Sequence, residues 1–329
     1  MSNRGNSLLQ VDNLSVWFPV GRSFSLFRRR KYVHAVDGVS FDVRKGDVLS
    51  IVGESGAGKS TLGLTIVGVY KPTKGRILFK GIDIHNTDKK TAKTIRRKIQ
   101  MIFQDPFEAL PPHMTVLDIV SEGIDIHKLA ESPADKIEMV SKALEQVGIT
   151  PPEDFLGRYP HQLSGGQRQR IAIASTLVLQ PELLVADEPV SMLDASLRGS
   201  IINLMMDLKE SLKLTYIFIL HNLALARCVS TRIAVMYLGQ IVELGEANEV
   251  IGDPLHPYTK ALISVVPSLR GRRRDKKIIL KGEIPNPINL PSGCRFHPRC
   301  PEAFDKCAKE EPQLVKIKKN HYVKCLLYQ

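Results

Sequence analysis

The sequence predicts an α/β protein with an inserted helical subdomain and a small C-terminal extension that contains cysteines. The α/β core is predicted first by short apolar runs that alternate with helical stretches. Four of the apolar runs are followed by Gly53, Gln104, Asp187 and His221. It is predicted second by a glycine-rich turn that follows one such run and opens a helix. Ligands of open α/β sheets bind outside the carboxyl ends of the strands, so a single site would use all four groups.

Length and composition fit a globular protein. The 329 residues are 43% hydrophobic and 24% charged, and the length suggests one large domain and a smaller one. No apolar run reaches the length of a membrane-spanning helix, and the polar residues 1–5 lead into no signal segment. We therefore expect a cytosolic chain.

The chain is basic, with 46 Lys and Arg against 34 Asp and Glu and a net charge of +12. Two basic runs, 28–31 and 270–277, could attract nucleic acid or anionic headgroups, and they could equally be solvated loops. Neither run is interleaved with aromatic residues that would stack on bases. Nucleic acid is therefore not expected as a partner.

Residues 8–18 are predicted to form a strand, 21–31 a loop and 33–43 a pair of strands. An aromatic side chain upstream of a phosphate-binding loop can stack on an adenine ring. Phe18 and Trp17 are the candidates, followed by Tyr32, and packing in the core is the alternative for each.

The glycine-rich turn has the complete pattern of a phosphate-binding loop. Its glycines leave room for backbone N–H groups to point at phosphate oxygens, and the helix that follows adds its own unpaired N–H groups. Lys59 would reach the β- and γ-phosphates, and the Ser60 hydroxyl would ligate Mg²⁺. The predicted loop consists of Gly53, Glu54, Ser55, Gly56, Ala57, Gly58, Lys59, Ser60 and Thr61.

A helical subdomain is predicted between Gln104 and about Pro160, because no strand-like run interrupts that interval. A second anion site follows at a helix start, with Ser164 as the N-cap of a helix over 168–179. A merely flexible glycine turn is the alternative. This second site consists of Ser164, Gly165, Gly166 and Gln167.

Carboxylates follow the next predicted strand, 183–186. Asp187 can hold Mg²⁺, directly or through water, and Glu188 can orient an attacking water. A segment ending in Asp194, a helix over 195–213 and a strand over 215–220 lead to His221. A lone histidine is usually structural, but this one also ends a core strand.

These residues resemble the ATP-binding-cassette family over roughly 8–250. The resemblance implies a RecA-like sheet with an antiparallel β subdomain, and ATP and Mg²⁺ as cofactors. Phe18 matches the adenine-stacking aromatic, and Gln104 matches the glutamine that contacts Mg²⁺ and senses the transmembrane partner. It implies Glu188, His221 and Lys59 as catalytic residues. Ser60, Gln104 and Asp187 match the Mg²⁺ ligands, and 191–194, including Asp194, match the loop that follows the catalytic glutamate.

Residues 163–167 match the signature sequence of the family. The family packs two cassettes head to tail, so that the signature of one closes over the phosphate loop of the other. The resemblance implies that Ser164 and Gly166 would contact ATP held by a partner. This chain carries one loop and one signature, so it must pair.

Past Gly252, the stretches 253–262 and 293–301 resemble the C-terminal extension of ATP-binding subunits of oligopeptide/dipeptide importers. Related importers carry oligosaccharides. The implied domains are 1–252, with a helical subdomain about 105–175, and the extension 253–329. The implied partners are a second ATPase subunit, with a heterodimer favoured, two membrane-spanning permease subunits and, through them, an extracellular substrate-binding protein. The implied location is the cytoplasmic face of the membrane.

Four of the five cysteines lie in the last 36 residues, at Cys294, Cys300, Cys307 and Cys325, whereas Cys228 is expected to be an inert core residue. In a cytosolic protein such a cluster indicates a metal site. The spacing lacks the close pair that is usual for structural zinc, and four thiolates also suit a [4Fe–4S] cluster. The importer extension is associated with such a cluster. Zinc and free thiols are the alternatives.

Two other classes of function compete. A soluble cassette protein acting on nucleic acid or the ribosome would agree with the basic charge. However, such translation factors carry two cassettes, and repair-type cassettes carry a long coiled coil that is not found here. The third possibility is a non-catalytic regulatory subunit. The presence of Asp187, Glu188 and His221 argues against it.

Overall fold

A computed structural model describes residues 7–21, 30–105, 110–265 and 277–329. Most of the predicted loop over 21–31 and most of the basic run 270–277 lie outside these residues. The chain divides into two compact units, one formed by residues up to 87 together with those from 218 onward, the other by 88–217. Among the described helices, none combines the length and apolar character needed to cross a membrane.

The described strands follow the predicted alternation of strand and helix. They are β1 (Ser7–Val20), β2 (Lys31–Arg44), β3 (Val48–Val52), β4 (Lys74–Phe79), β5 (Ile82–Asp83), β6 (Ile99–Ile102), β7 (Leu183–Asp187), β8 (Thr215–Leu220), β9 (Arg232–Tyr237), β10 (Gln240–Glu246), β11 (Val315–Lys318) and β12 (His321–Val323). All residues of β3, β7 and β8 are buried, so these strands belong to the core.

The described α-helices begin at capping residues or prolines in several cases. They are α1 (Lys59–Ile66), α2 (Lys89–Lys98), α3 (Val116–His127), α4 (Pro133–Gln146), α5 (Glu153–Leu156), α6 (Gly165–Leu177), α7 (Ala195–Leu212), α8 (Leu223–Val229), α9 (Ala247–Gly252) and α10 (Pro257–Ser264). Short 3₁₀ turns lie at Pro160–Gln162, His297–Arg299, Asp305–Ala308 and Leu326–Tyr328.

The first unit contains an antiparallel sheet of order β2-β1-β4-β5. The strand predicted over 8–18 is confirmed, whereas the pair of strands predicted over 33–43 is wrong. β2 is one strand that pairs with β1 from Lys31 to Arg44, with register shifts. Gly38, in the middle of β2, has a φ of 69° and donates its N–H to Ser15 Oγ over 3.1 Å. It therefore lies at an irregularity of the ladder and does not end the strand.

The first unit also contains strands of the order β11-β12-β10-β9-β3. β3 is parallel to β9, whereas the pairs β9–β10, β10–β12 and β12–β11 are antiparallel. β12 pairs through Val323 opposite Glu243 and Tyr322 opposite Leu244. The C-terminal residues therefore extend the sheet to which the strand before the phosphate-binding loop belongs.

The second unit contains the predicted helical interval and the parallel pair of β6 and β7. Thr115 and Ser132 cap α3 and α4, each accepting a backbone hydrogen bond from the third residue of its helix. Pro133 stands at the first position of α4, where its missing N–H costs nothing. β8 crosses the boundary between the units, beginning in the second and ending in the first just before His221.

Candidate functional site

The loop after β3 is shaped by two glycines that no other residue could replace. A Cβ at Gly53 would lie 2.1 Å from the Met236 carbonyl oxygen, and one at Gly58 would lie 1.9 Å from the Ala35 carbonyl oxygen. Gly58 also has a φ of 96°, which favours glycine. The loop therefore packs directly on the backbones of β2 and β9, and it leads into the first turn of α1.

Lys59 is the first residue of α1, and only 4% of it is exposed. Its Nζ donates hydrogen bonds to the carbonyl oxygens of Gly53 over 2.8 Å and Glu54 over 2.9 Å. His221 Nδ1 lies 3.4 Å from Lys59 Nζ and 3.4 Å from the Gly53 oxygen. The structure thus brings together two of the four predicted strand-end groups, Gly53 and His221, with the lysine of the loop.

The other loop residues differ in exposure. Ser55 and Gly56 are exposed, Ala57 is buried, and Ser60 and Thr61 are half-buried in the first turn of α1. Gly56 has a φ of 77°. Exposed backbone at a glycine turn next to a helix start is suited to binding an anion.

The second unit brings together another pair of predicted residues, Gln104 and Glu188. Glu188 follows Asp187, the last residue of β7, and these two acidic residues are 8% and 6% exposed. Gln104 Nε2 donates a hydrogen bond to Glu188 Oε2 over 3.3 Å. The Glu188 carbonyl accepts hydrogen bonds from the N–H and Oγ of Ser191 at 3.1 and 3.0 Å. Glu188 has a φ of 46°, a conformation that is costly for a non-glycine residue and is often found at functional sites.

The predicted N-cap at Ser164 is confirmed. Ser164 Oγ accepts a hydrogen bond from the Gln167 N–H at 3.3 Å, and Gln167 Oε1 accepts one from the Ser164 N–H at 2.9 Å. This is a capping box. The helix begins at Gly165, three residues before the predicted start, because the glycines already form its first turn. Ser164 is exposed and Gly166 is buried.

Asp194 also lies at a helix start. It is exposed at the N-cap position of α7, and its backbone carbonyl accepts the hydrogen bond from the Arg198 N–H at 3.0 Å. Negative charge at this position interacts favourably with the helix dipole.

The candidate aromatic residues differ in their contacts. Trp17 Nε1 donates a hydrogen bond to Asp37 Oδ1 at 3.1 Å, and its ring lies 4.6 Å from that of His34 and 4.6 Å from Lys74 Nζ. Phe18 is half-buried and contacts Tyr70 edge to face at 5.1 Å. The ring of Trp17 is thus held on several sides by its own unit.

Two residues of the C-terminal segment contact the phosphate-binding loop, and sequence reasoning missed both. Arg299 forms an ion pair with the Glu54 carboxylate, and Tyr258 accepts a hydrogen bond from the Glu54 N–H. The Glu54–Arg299 pair joins residues 245 positions apart, so no local pattern indicates it. The only signal in the sequence was an arginine next to Cys300.

A buried carboxylate, Glu243, fixes the start of α10. Glu243 is 0% exposed, and its two oxygens accept the N–H groups of Leu255 and His256, each at 2.9 Å. His321 Nε2 lies 2.8 Å from Glu243 Oε1. Burial, helped by the charge of Lys260, lowers the pKa of His256 to about 3. The neutral His256 caps α10 by accepting the Tyr258 N–H at 3.1 Å.

The cysteines are free thiols, with Cys307 and Cys325 buried and Cys294 and Cys300 half-buried. The Cys294 N–H donates to the Cys307 carbonyl at 2.8 Å. Burial raises the pKa of Cys300 to about 12 and that of Cys325 to about 11, and it also raises that of Cys294. Within the described ranges, no group of three or more His, Cys, Asp or Glu side chains is arranged to hold a metal ion. The thiols as placed do not fit a metal centre.

The prediction for Cys228 is wrong. Cys228 lies in α8 as expected for a helical stretch, but its side chain is exposed. The residues of this helix that do face the core are Leu223, Ala226 and Val229, at helical spacing. Cys228 falls between them, on the opposite face.

Comparison with protein families gives two matches. A model described as ABC transporter matches residues 36–191. A model described as oligopeptide/dipeptide transporter, C-terminal region, matches residues 242–307.

Named relatives align over nearly the whole chain. The oligopeptide transport ATP-binding protein AppF of Bacillus subtilis (strain 168) is 48% identical, over 98% of this chain and 98% of its own length. The dipeptide transport ATP-binding protein DppF of Haemophilus influenzae is 43% identical, over 97% of this chain and 96% of its own.

Solved structures confirm the predicted fold. The structure of cbiO1 from Clostridium perfringens, part of the ABC transporter complex cbiONQ, has a TM-score of 0.63 and 30% identity, covering 75% of this chain and 92% of that one. The ATP-binding cassette MJ0796, in a dimeric post-hydrolysis state bound to ADP and Pi, has a TM-score of 0.63 and 28% identity, covering 73% of this chain and 98% of that one.

Proposed function

This chain belongs to the ABC transporter family of ATP-binding proteins, and we propose that it hydrolyses ATP to power an importer of oligopeptides or dipeptides. The proposal is carried by the phosphate-binding loop, in which Gly53 and Gly58 pack on neighbouring backbone and Lys59 heads the helix. The names of the relatives and the match to the transporter C-terminal region support a peptide cargo. A related oligosaccharide importer is the alternative.

The proposed residue roles follow the family pattern. Residues Gly53 to Thr61 bind the phosphates, with Lys59 on the β- and γ-phosphates. Glu188 directs the attacking water, and His221 stabilises charge on the transferred phosphoryl group. Phe18 stacks on the adenine. Mg²⁺, held by Ser60, Gln104 and Asp187, would neutralise phosphate charge when bound.

The proposed assembly contains a second ATPase subunit, two permease subunits and a substrate-binding protein outside the cell. Ser164 and Gly166, exposed and buried respectively at the start of α6, would close over ATP held by the second subunit. We favour a heterodimer, peripheral on the cytoplasmic face of the membrane. The division into 1–252 and 253–329, with a helical subdomain about 105–175, belongs to the same proposal.

For the cysteines we propose a structural [4Fe–4S] cluster bound by Cys294, Cys300, Cys307 and Cys325, with zinc as the alternative. Support comes from their common segment and from the backbone hydrogen bond between Cys294 and Cys307. The thiols would have to move together to bind such a cluster. An anaerobic absorption spectrum with iron, sulfide and zinc analysis of the native complex tests this. Protein that contains none of the three would refute it.

Transport of defined cargo by the purified complex tests the function. In vesicles loaded with ATP and Mg²⁺, we expect a labelled oligopeptide to accumulate with the wild-type chain and not with Lys59→Ala. Accumulation of an oligosaccharide instead would transfer the role to the alternative cargo. Binding or hydrolysis of ATP that is unchanged in Lys59→Ala would refute the nucleotide site itself.

A further inference from the structure

We propose that Arg299 and Tyr258 of the C-terminal segment are positioning residues for the phosphate-binding loop, and that Arg299 neutralises Glu54 beside the phosphates of ATP. The inference rests on the proposed function, because it assumes that the loop binds a nucleotide. It adds to that function a task for the segment after residue 252, whose contribution to the ATP site the motifs do not indicate.

The side chain of Glu54 is held by two parallel hydrogen bonds. Arg299 Nη1 lies 2.7 Å from Glu54 Oε2, and Nη2 lies 3.2 Å from Oε1. The side chain of Arg299 is 8% exposed and that of Glu54 is 28% exposed. A bidentate pair of this kind is stronger and more directional than a single contact, and its burial protects it from solvent.

The backbone of Glu54 is held by the same segment. The Glu54 N–H donates to Tyr258 Oη at 2.9 Å. Tyr258 is 0% exposed, and its ring packs at 4.8 Å from Tyr237 and 5.3 Å from Phe296. A ring packed on two sides cannot follow the loop if the loop moves. The segment therefore fixes the backbone of the loop at its second residue as well as the carboxylate.

Glu54 also contacts the lysine of the loop, because its carbonyl accepts the hydrogen bond from Lys59 Nζ at 2.9 Å. One residue thus lies between the C-terminal segment and the group proposed to bind the β- and γ-phosphates. An unpaired carboxylate in this loop would repel a triphosphate, since like charges separated by several ångströms and partly shielded from water interact strongly. Arg299 removes that repulsion and leaves the loop N–H groups to attract the anion.

Affinity of the purified complex for a fluorescent ATP analogue tests the charge effect. In Arg299→Gln we expect the Kd to rise about tenfold. Glu54→Gln alone weakens the pair but leaves no unpaired carboxylate, so its Kd should rise less than that of Arg299→Gln, to within about threefold of wild type. The double variant should return to within about threefold of wild type. A Kd unchanged in Arg299→Gln, or a double variant as weak as the single one, would overturn the inference.

Two further variants separate charge from structure. Arg299→Lys keeps the positive charge but loses the two parallel hydrogen bonds, so its Kd should rise by only about threefold; a tenfold loss would contradict neutralisation even if Arg299→Gln does not fold. Tyr258→Phe removes only the bond to the Glu54 N–H, and we expect the Kd to rise about threefold. An unchanged Kd there would refute the backbone contact as a positioning device.

Controls distinguish failure of this inference from failure of the proposed function. Lys318→Gln breaks another ion pair of the segment, the one with Asp253. The side chains of Lys318 and Asp253 are both exposed, so the Kd should not change. If Lys59→Ala abolishes binding while all Arg299 variants bind normally, the ATP site stands and the inference is wrong. If the wild-type complex binds no nucleotide, the proposed function is wrong.

Discussion

Gln104 donates its side-chain N–H to the carboxylate of Glu188 over 3.3 Å, within the second unit. The bond occupies one lone pair of Glu188 Oε2 and orients the carboxylate of a residue whose backbone has a φ of 46°. Two residues 84 positions apart are thereby linked at the ends of β6 and β7. A carboxylate held in one orientation is better placed to direct a water molecule than a freely rotating one.

Glu188→Gln should retain ATP binding and lose hydrolysis by about 10²- to 10⁴-fold, because the amide cannot accept a proton from water. Steady-state phosphate release and nucleotide affinity, measured on the assembled complex, check this. Glu210→Gln, at a side chain that is 79% exposed, is the matched control and should behave as wild type. Unchanged hydrolysis in Glu188→Gln would remove Glu188 from the catalytic role.

Gly58→Ala should destabilise the protein and abolish nucleotide binding, since the new Cβ would lie 1.9 Å from a backbone oxygen that cannot easily move. Gly46→Ala is the control, because Gly46 has a φ of 80° and an added Cβ there meets no described atom within 4 Å. Only the backbone cost, about 1 kcal/mol, applies at Gly46. Chemical denaturation should place Gly58→Ala well below Gly46→Ala. Equal stabilities would contradict the close contact.

Glu243→Ala should lower the free energy of unfolding by about 3–5 kcal/mol, because the N–H groups of Leu255 and His256 and the ring of His321 would lose their acceptor in a buried site. Denaturant titration with the holo complex measures it. Glu246→Ala, at an exposed residue on the same strand, should cost less than about 1 kcal/mol. A similar small loss at both positions would mean that α10 does not depend on Glu243.

His256 should make the protein less stable in acid. The pKa of about 3 in the folded protein lies below the ordinary 6.5, so between these values the unfolded chain binds a proton that the folded chain does not. The contribution is complete above pH 6.5 and is lost as the pH falls towards 3, by about 1.4 kcal/mol per pH unit.

His256→Asn keeps a side chain able to cap α10 and removes the titration. The free energy of unfolding should therefore fall less steeply between pH 6 and 4 in the variant than in the wild type. The difference in slope should be about 1.4 kcal/mol per pH unit, which corresponds to one proton. Other groups titrate in both proteins and cancel in the difference. Identical slopes would show that His256 becomes protonated without unfolding.

Local patterns predicted β3, β7, β8 and the Ser164 cap, because buried strands and capping residues depend on neighbouring positions. They failed at β2, where Gly38 is accommodated by an irregular ladder with a distant strand. They also failed at Cys228, because the burial of its side chain depends on which face of the helix packs against the core. The contact of Arg299 with Glu54 could not be predicted from local sequence, since it depends on how two segments 245 positions apart pack together.

The hairpin of β11 and β12 closes the border of a sheet, since β12 pairs with β10 through Glu243 and Leu244. A chain truncated after residue 252 would leave backbone N–H and C=O groups of β10 unpaired. Unpaired edge strands form hydrogen bonds with strands of neighbouring molecules. Truncated versions of this protein should therefore aggregate on expression. Chimaeras that exchange residues 253–329 between relatives should exchange β10 as well, because β12 pairs with it.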